Sequence, residues 1–479
     1  MPKLSELLSS NLAVDPEILG LTADSRAVKP GFLFAALPGT KADGRSFLAD
    51  ALARGAVAVL APRGTALSDS RALLIEDDNP RRRFALMAAR FYPRQPKIVA
   101  AVTGTNGKTS VVNFLRQIWT RLGYPAASLG TIGLVAPGRI EPGSITTPDP
   151  VSLHRCLDQL AQDGVTHAAF EASSHGLDQF RLDGVAVAAA AFTNLTHDHL
   201  DYHKGMDAYW QAKCRLFGEV MAAKRVAVIN ADSPQAVLLS RLCLEHGHRI
   251  ISFGVNGADI RIDHSAPSHD GQDLTLSVMG KPYQLHLPLV GDFQASNAVC
   301  ALGLALATGA GTDGAIEALA HLQEVPGRLQ KVATTPQGVP VYVDYAHTPD
   351  GLETALKALR PHVGKRLVLV FGCGGDRDKS KRPEMGRIAA QWADRIFVTD
   401  DNPRSEDPAS IRQQIMIACP GAVDVGDRAL AIRQAVRSLE TGDLLVLAGK
   451  GHETGQIVAG KSLPFDDADQ ARRAVEELS

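Results

Sequence analysis

Residues 98 to 110 read IVAAVTGTNGKTS, and the fold follows from how this stretch is read. Ile98 to Val102 is a short apolar, β-branched run, the pattern of a buried parallel strand, and the residues after Thr109 (VVNFLRQIWTRL) carry helical periodicity. Between them lies a Gly-rich turn. Gly104 and Gly107 let the backbone curl so that successive N–H groups point at one anion, where the positive end of the following helix adds its dipole. Lys108 then reaches terminal phosphates, and Thr109 offers a hydroxyl to Mg²⁺. The eight-residue Walker pattern requires Gly at position 102, where this chain has Val102, so the loop is a shortened relative of that pattern. It is read as a nucleoside triphosphate site. Glycines serving only a tight strand-to-helix turn would leave Lys108 and Thr109 without a purpose at the helix start.

The rest of the chain narrows the class of partner. A length of 479 residues suggests about three domains. A net charge of −2 removes the case for a nucleic-acid protein held by bulk charge, so partners are sought among small molecules. The six cysteines are widely spaced with no CxxC pair, as expected for reduced thiols and against structural zinc. No apolar run reaches the length of a membrane span, and the opening MPKLSELLSSNL carries an acidic residue in its apolar patch. A cytoplasmic monomer is expected.

Working outward, residues 1 to 94 mix short apolar runs (GFLFAAL, AVAVLA, ALLIE) with turn signals, which suggests a small α/β domain, and Pro93 and Pro96 bracket a linker. The polar patches LTADSR (21 to 26) and LPGTKADGRSF (37 to 47) suit a polar ligand or an ordinary surface turn equally well. The central region, 95 to 327, contains SITTPDP (144 to 150) and two further strands that empty into polar residues. THAAFEASSH ends on Glu171, Ser173, Ser174 and His175; AVAAAAFTNLTHDHLDYH ends on Asn194, His197, Asp198, His199, Asp201 and His203. Residues just past the carboxyl ends of strands in an open α/β sheet face the ligand crevice. Zinc spacing is missing there, and one His with Glu171 beside a triphosphate suits Mg²⁺; a solvated His-rich loop is the alternative. Lys213 lies in the helical stretch MDAYWQAKCRLFGEV (206 to 220), where periodicity alone makes it a solvated lysine. Asn297, near the start of an Ala-rich helix, is either a cap or a reader of a base. From 328 to 479, VYVDYAHTPD, RLVLVFGCGGDRDKSKRP, RIFVTDDNPRSEDP and LLVLAGKGHETG each run from an apolar strand into a charged loop. Four such units imply a parallel sheet whose strand ends gather one site. GCGG does not satisfy GxGxxG, so no NAD site is read.

In order, GTNGKTS, TTPD, EASSHGLDQFR, TNLTHDHLDYH, YWQAK, SNA, PGR, DYAHTPD, GGDRDKSKRP, DNPR and GKGHE resemble the Mur ligase family, and within it the MurE type, which adds the third amino acid of the peptidoglycan stem peptide. The resemblance covers essentially the whole chain. It implies three α/β domains: a small N-terminal one that binds the UDP substrate (1–94), a central P-loop ATPase-like one (95–327) and a C-terminal Rossmann-like one that brings the amino acid (328–479). It implies ATP-dependent amide ligation, with Mg²⁺ as cofactor and UDP-MurNAc-L-Ala-D-Glu and meso-diaminopimelate as the other substrates.

Roles carry over by position. Gly104, Thr105, Asn106, Gly107, Lys108, Thr109 and Ser110 would hold ATP together with Asn297, Arg328, Asp344 and His347. Thr109, Glu171, His199 and Lys213 would be metal ligands, Lys213 as a carbamate formed with CO₂; Lys108, Lys213, Glu171 and His199 form the catalytic group. Ser25, Thr146, Thr147, Ser173, Gln179 and Arg181 match contacts to the UDP substrate. Arg377, Asp401, Asn402, Pro403, Arg404, Gly449 and Glu453 match the diaminopimelate pocket. Ile145 departs, standing where some relatives have Asn before the Thr pair. Two other readings are a related amide ligase, either lysine-adding or of the folylpolyglutamate type, and a nucleotide-switched binding protein. DNPR and the N-terminal domain oppose the first pair.

Overall fold

Strand Ile98–Thr103 lies inside an eleven-stranded sheet, paired in parallel with His167–Glu171 on one side and Val187–Phe192 on the other. The computed structural model describes residues 1–39, 42–67, 71–143, 145–199, 202–268 and 270–478. Asp201, Ser144 and part of the 37–47 patch lie outside them. The three strands are rich in Ala and Val because both faces are covered, and a two-sided parallel strand has no polar face. Helices Lys108–Arg121 and Asp292–Ala307 cover one face; Leu153 and Leu157 of helix Pro150–Gln162, with Leu216, Phe217 and Leu239, cover the other. Asp292–Ala307 is apolar nearly all round because it is enclosed by other elements.

The sheet continues through Val226–Asn230 and Arg249–Gly254 into an antiparallel meander, Ile260–Pro267, Gln272–Val278 and Lys281–Leu287, where the polar alternation of the sequence matches a one-sided sheet. The stretch expected as one helix over 206 to 220 is an α-helix, Met206–Arg215, followed by a π-helical turn, Leu216–Val220. Ahead of this sheet stands a parallel one of four strands, Gly20–Thr22, Phe32–Ala35, Ala58–Pro62 and Leu73–Asp77. Beyond it is a six-stranded sheet ordered Gln330–Thr334, Pro340–Asp344, Leu444–Ala448, Leu367–Phe371, Arg395–Val398 and Val423–Asp424. The four apolar runs expected to be parallel are so; Gln330–Thr334 adds an antiparallel edge.

Contacts between the sheets fix where their loops meet. Arg82 Nε donates to buried Asp183 Oδ1 at 3.0 Å, and Arg215, on the helix that carries Lys213, reaches the same carboxylate at 3.2 Å. Asn106 Nδ2 of the phosphate loop and Thr196 Oγ1 both donate to Asp350 Oδ2, at 3.0 and 3.1 Å, at the start of helix Pro349–Leu359. The carboxyl ends of the central strands therefore face the loops that follow the C-terminal strands.

Candidate active site

Gly107 precedes the helix at φ +86°, a conformation costly for a residue with a Cβ, and a Cβ there would fall 2.4 Å from Asn297 Oδ1. Asn194 holds the loop by accepting from Thr105 N at its carbonyl and from Asn106 N at its side chain, both at 2.9 Å. The first N–H groups of helix Lys108–Arg121 have no intrahelical acceptor and remain for an anion. Lys108 Nζ folds back onto the carbonyls of Gly104 (3.0 Å) and Thr105 (2.7 Å). Lys213 is not a solvated helix lysine: it is 1% exposed, and its Nζ donates to the same Gly104 carbonyl at 2.8 Å. Burial lowers the pKa of both amines, and that of Lys213 falls well below the ordinary value because the Lys108 charge adds to the desolvation.

Glu171, 1% exposed at its strand end, accepts from Thr109 Oγ1 (3.1 Å), Thr131 N (2.7 Å) and Thr131 Oγ1 (3.1 Å). Arg328 Nη2 donates to Thr109 Oγ1 at 3.2 Å, with its guanidinium 4.5 Å above the Tyr345 ring. Thr131 Oγ1 also meets Thr146 Oγ1 at 3.0 Å. A Cβ on Gly130 would lie 2.1 Å from Glu171 Oε1, so Gly130→Ala must displace a carboxylate held by three hydrogen bonds. Turnover of that variant is expected to fall about 10²-fold with a small change in Tm, the cost of misplacing a group beside the phosphate loop by about 1 Å. Unchanged kcat would show that the position of Glu171 is not critical.

A cavity of about 440 Å³ is lined by Thr105 to Ser110, Thr146, Glu171, His199, Asn297, Arg328, Asp344 and His347. Asn297 is neither a cap nor outside the helix: it sits within Asp292–Ala307, its amide donating to Gln294 Oε1 at 3.1 Å. Asp344 is buried, with a raised pKa, and accepts from the N–H groups of Leu329 and Ala346. His347 donates from Nδ1 to the Tyr345 carbonyl at 2.8 Å. Among the described residues no three His, Cys, Asp or Glu side chains gather as a self-sufficient metal site. Thr109 and Glu171 instead present two hard oxygen donors beside the phosphate loop, which fits an ion that takes most of its ligands from phosphates and water, as Mg²⁺ does.

Two further clusters lie outside the cavity lining. In the first, Thr147 Oγ1 donates to the Glu171 carbonyl (2.8 Å) and accepts from Ser173 N (3.0 Å), while Arg181 donates to the Thr147 carbonyl (2.6 Å) and to Gln179 Oε1 (2.7 Å). Ser25 stands apart, buried in the N-terminal unit, where it helps hold the Asp50 carboxyl below its ordinary pKa. In the second, Asn402 Nδ2 donates to Glu453 Oε2 (2.8 Å), Lys450 Nζ to the same oxygen (3.0 Å), and a Cβ on Gly449 would lie 2.8 Å from Asp401 Oδ2. Pro403 is buried, Arg377 is exposed, and Arg404, at φ +54°, donates from Nη1 to the Gly375 carbonyl at 2.8 Å.

Thr131, Asp350, Lys450 and Arg382 belong to these networks and were not singled out by sequence. Lys450 lay inside GKGHE; Thr131 carried no local signal, since its contacts join segments 40 residues apart.

Family models match along the chain: "Mur ligase family, catalytic domain" at residues 17–92, "Mur ligase middle domain" at 102–305 and "Mur ligase, glutamate ligase domain" at 327–451. The chain is 52% identical over 480 residues to UDP-N-acetylmuramoyl-L-alanyl-D-glutamate--2,6-diaminopimelate ligase of Caulobacter vibrioides, covering 99% of each. It is 53% identical over 485 residues to the protein of the same name from Rhizobium meliloti, covering 99% of this chain and 97% of that one. A solved structure of a ligase with that name superposes with a TM-score of 0.74 at 32% identity, covering 100% and 99% of the two chains. MurF from Acinetobacter baumannii shares the fold at a TM-score of 0.65 and 20% identity. With matched models spread over the four-, eleven- and six-stranded sheets and half of its residues shared with full-length relatives, the chain belongs to the Mur ligase family.

Proposed function

We propose that this chain is the ATP-dependent ligase that joins meso-diaminopimelate to UDP-MurNAc-L-Ala-D-Glu, a step of peptidoglycan precursor synthesis. The observation that carries this reading is the single cavity shared by the phosphate loop, Glu171, Thr146 and the Asp344–His347 loop. Thr146 of its lining adjoins the Thr147–Arg181 cluster, and Tyr345 of its lining packs its ring 5.1 Å from that of His452, next to Glu453. In this reading the chain divides at 94/95 and 327/328 into units for the UDP substrate, ATP and the amino acid.

A carboxylate is a poor acyl donor. Its oxygen therefore attacks the γ-phosphorus of ATP, giving an acyl phosphate and ADP; the neutral amine then adds to the acyl carbon, phosphate leaves, and the amine gives up its proton. Lys108 balances the charge on the transferring phosphoryl group, and the helix N–H groups hold its neighbours in line. Thr146, Thr147, Ser173, Gln179 and Arg181 orient the UDP substrate; Ser25 contacts it from the N-terminal unit. Asn297, Arg328, Asp344 and His347 surround the nucleoside. Thr109, Glu171, His199 and a carbamylated Lys213 would hold Mg²⁺, which when bound neutralises phosphate charge. Asp401, Asn402, Gly449 and Glu453 receive the diamino acid, with Arg377 and Arg404 as cations for its carboxylates.

meso-Diaminopimelate differs from lysine by a carboxylate on the far carbon, and a guanidinium takes a carboxylate in two parallel hydrogen bonds. Arg404 is not a surface cation satisfied by its neighbours: Glu406 bonds Arg382, and Asp407 caps helix Pro408–Met416. Wild-type kcat/KM is expected to favour meso-diaminopimelate over L-lysine by roughly 10²- to 10³-fold. Arg404→Ala is expected to erode that ratio by losing the diaminopimelate reaction. Phosphate release with each substrate omitted in turn, and kcat/KM for both amino acids in both proteins, test the reading. Comparable use of lysine by the wild type, or release without an amino acid, overturns it.

A further inference from the structure

Arg382 is fully buried in helix Lys381–Trp392, an unusual place for a guanidinium unless it is paired. It meets the Glu406 carboxylate end-on, Nη1 to Oε2 at 3.0 Å and Nη2 to Oε1 at 2.9 Å, and also reaches Gln414 Oε1 (3.0 Å) and the Gly374 carbonyl (3.3 Å). Two further donors meet Glu406, but Arg382 is the one that takes both of its carboxylate oxygens. Asp376 N donates to Oε1 at 2.6 Å, and Lys379, a 64% exposed side chain, stands 3.2 Å from Oε2.

Glu406 and Arg404 flank the same peptide. A Cβ built on Gly375 would lie 3.2 Å from Glu406 Cβ, and one built on Gly374 would lie 2.7 Å from Arg404 Nη1. A carboxylate two residues from Arg404 in sequence and beside it in space is the natural internal rival of a substrate carboxylate, since both would take the guanidinium in the same fork. In the structure that rivalry is absent. The Arg404 guanidinium has only carbonyl oxygens as hydrogen-bond acceptors among the described residues, those of Gly375 (2.8 Å) and Asn402 (3.5 Å). Its other near carboxylate, Asp376, is taken up by Ser405, whose Oγ donates to Oδ1 at 2.6 Å and whose N–H donates to Oδ2 at 3.2 Å.

We propose that Arg382 is a positioning residue for amino-acid selection: by holding the Glu406 carboxylate it keeps the Arg404 guanidinium available for the far carboxylate of the incoming diamino acid. This rests on the assignment of Arg404 made above. It adds that the selectivity of Arg404 is maintained from behind by a buried ion pair that touches no substrate. Without Arg382, Glu406 swings onto Arg404. Diaminopimelate then has to displace it, while lysine no longer leaves an unpaired cation behind, so the two substrates move in opposite directions.

The test compares wild type, Arg382→Met, Glu406→Gln and the double variant Arg382→Met/Glu406→Gln, with KM and kcat for meso-diaminopimelate and L-lysine and a thermal melt of each. If the Arg404–Glu406 pair is about 90% populated in Arg382→Met, KM for diaminopimelate rises about tenfold, because only the remaining fraction is competent. Lysine use holds or improves. Glu406→Gln removes the rival charge, so the double variant is expected to return to within about threefold of the wild-type KM; a loop merely loosened by losing Arg382 would not be mended by a second substitution in the same network. A double variant no better than Arg382→Met, or a parallel loss for both amino acids, overturns the proposal. Should Arg382→Met fail to fold, Glu406→Gln alone decides: its KM for diaminopimelate is expected to stay near wild type, and a rise as large as that of Arg404→Ala is the opposing result. Failure of the underlying assignment looks different, as a wild type without preference for diaminopimelate or an Arg404→Ala variant that keeps it.

Discussion

Lys213→Ala is expected to lower ligation by at least about 10²- to 10³-fold, the size of effect seen when a preorganised charge next to the reacting groups is removed, while the protein remains folded. The reason lies in the burial of the side chain. A lysine that is 1% exposed and shares the Gly104 carbonyl with Lys108 has no carboxylate within ion-pairing distance among the described residues. Its environment disfavours the ammonium, through desolvation first and the Lys108 charge second. A neutral amine is the form that adds to CO₂: the nitrogen lone pair bonds to carbon, a proton leaves, and a carbamate anion replaces what would have been a second cation. That inverts the charge facing the phosphates. An ordinary structural lysine predicts modest loss and indifference to CO₂. Initial rates of wild type and variant, with wild type also assayed in CO₂-depleted buffer before and after bicarbonate is restored, distinguish the two. Near-normal turnover of Lys213→Ala would end the carbamate reading.

Lys108→Ala is expected to reduce acyl-phosphate formation by a similar factor, about 10³-fold, with affinity for the UDP substrate nearly unchanged. In the structure its ammonium rests on the carbonyls of Gly104 and Thr105, which are neutral acceptors that a triphosphate readily outcompetes. The cluster around Thr147 and Arg181, proposed above for the UDP substrate, makes no hydrogen bond to Lys108 among the described residues, so truncation there leaves it in place. Calorimetric titration of the UDP substrate into the variant, set beside single-turnover ADP formation, separates the two effects. A fall in UDP-substrate affinity as large as the fall in rate would reassign Lys108.

What could be read along the chain was whatever depends on neighbours in sequence. The phosphate loop is a local object: strand, glycines, lysine and helix start lie within residues 98 to 110, and their chemistry follows from spacing alone. The apolar runs of the C-terminal third, too short for helices and each ending in a charged loop, implied a parallel sheet for the same reason. Where a property depends on what packs against a residue, periodicity carried no information. Lys213 looked like any helix lysine because its burial comes from a loop 109 positions away. Thr131 was invisible because a threonine acquires a role only when Glu171 is brought to it. Arg404, Glu406 and Arg382 show this most clearly. Along the chain Glu406 and Asp407 both stand close to Arg404, and spacing alone would let either pair with it; the helix that follows Gly375 places a buried guanidinium on Glu406. A carboxylate can satisfy one end-on guanidinium fork at a time, so the choice between two arginines is made by tertiary packing and cannot be made by proximity along the chain.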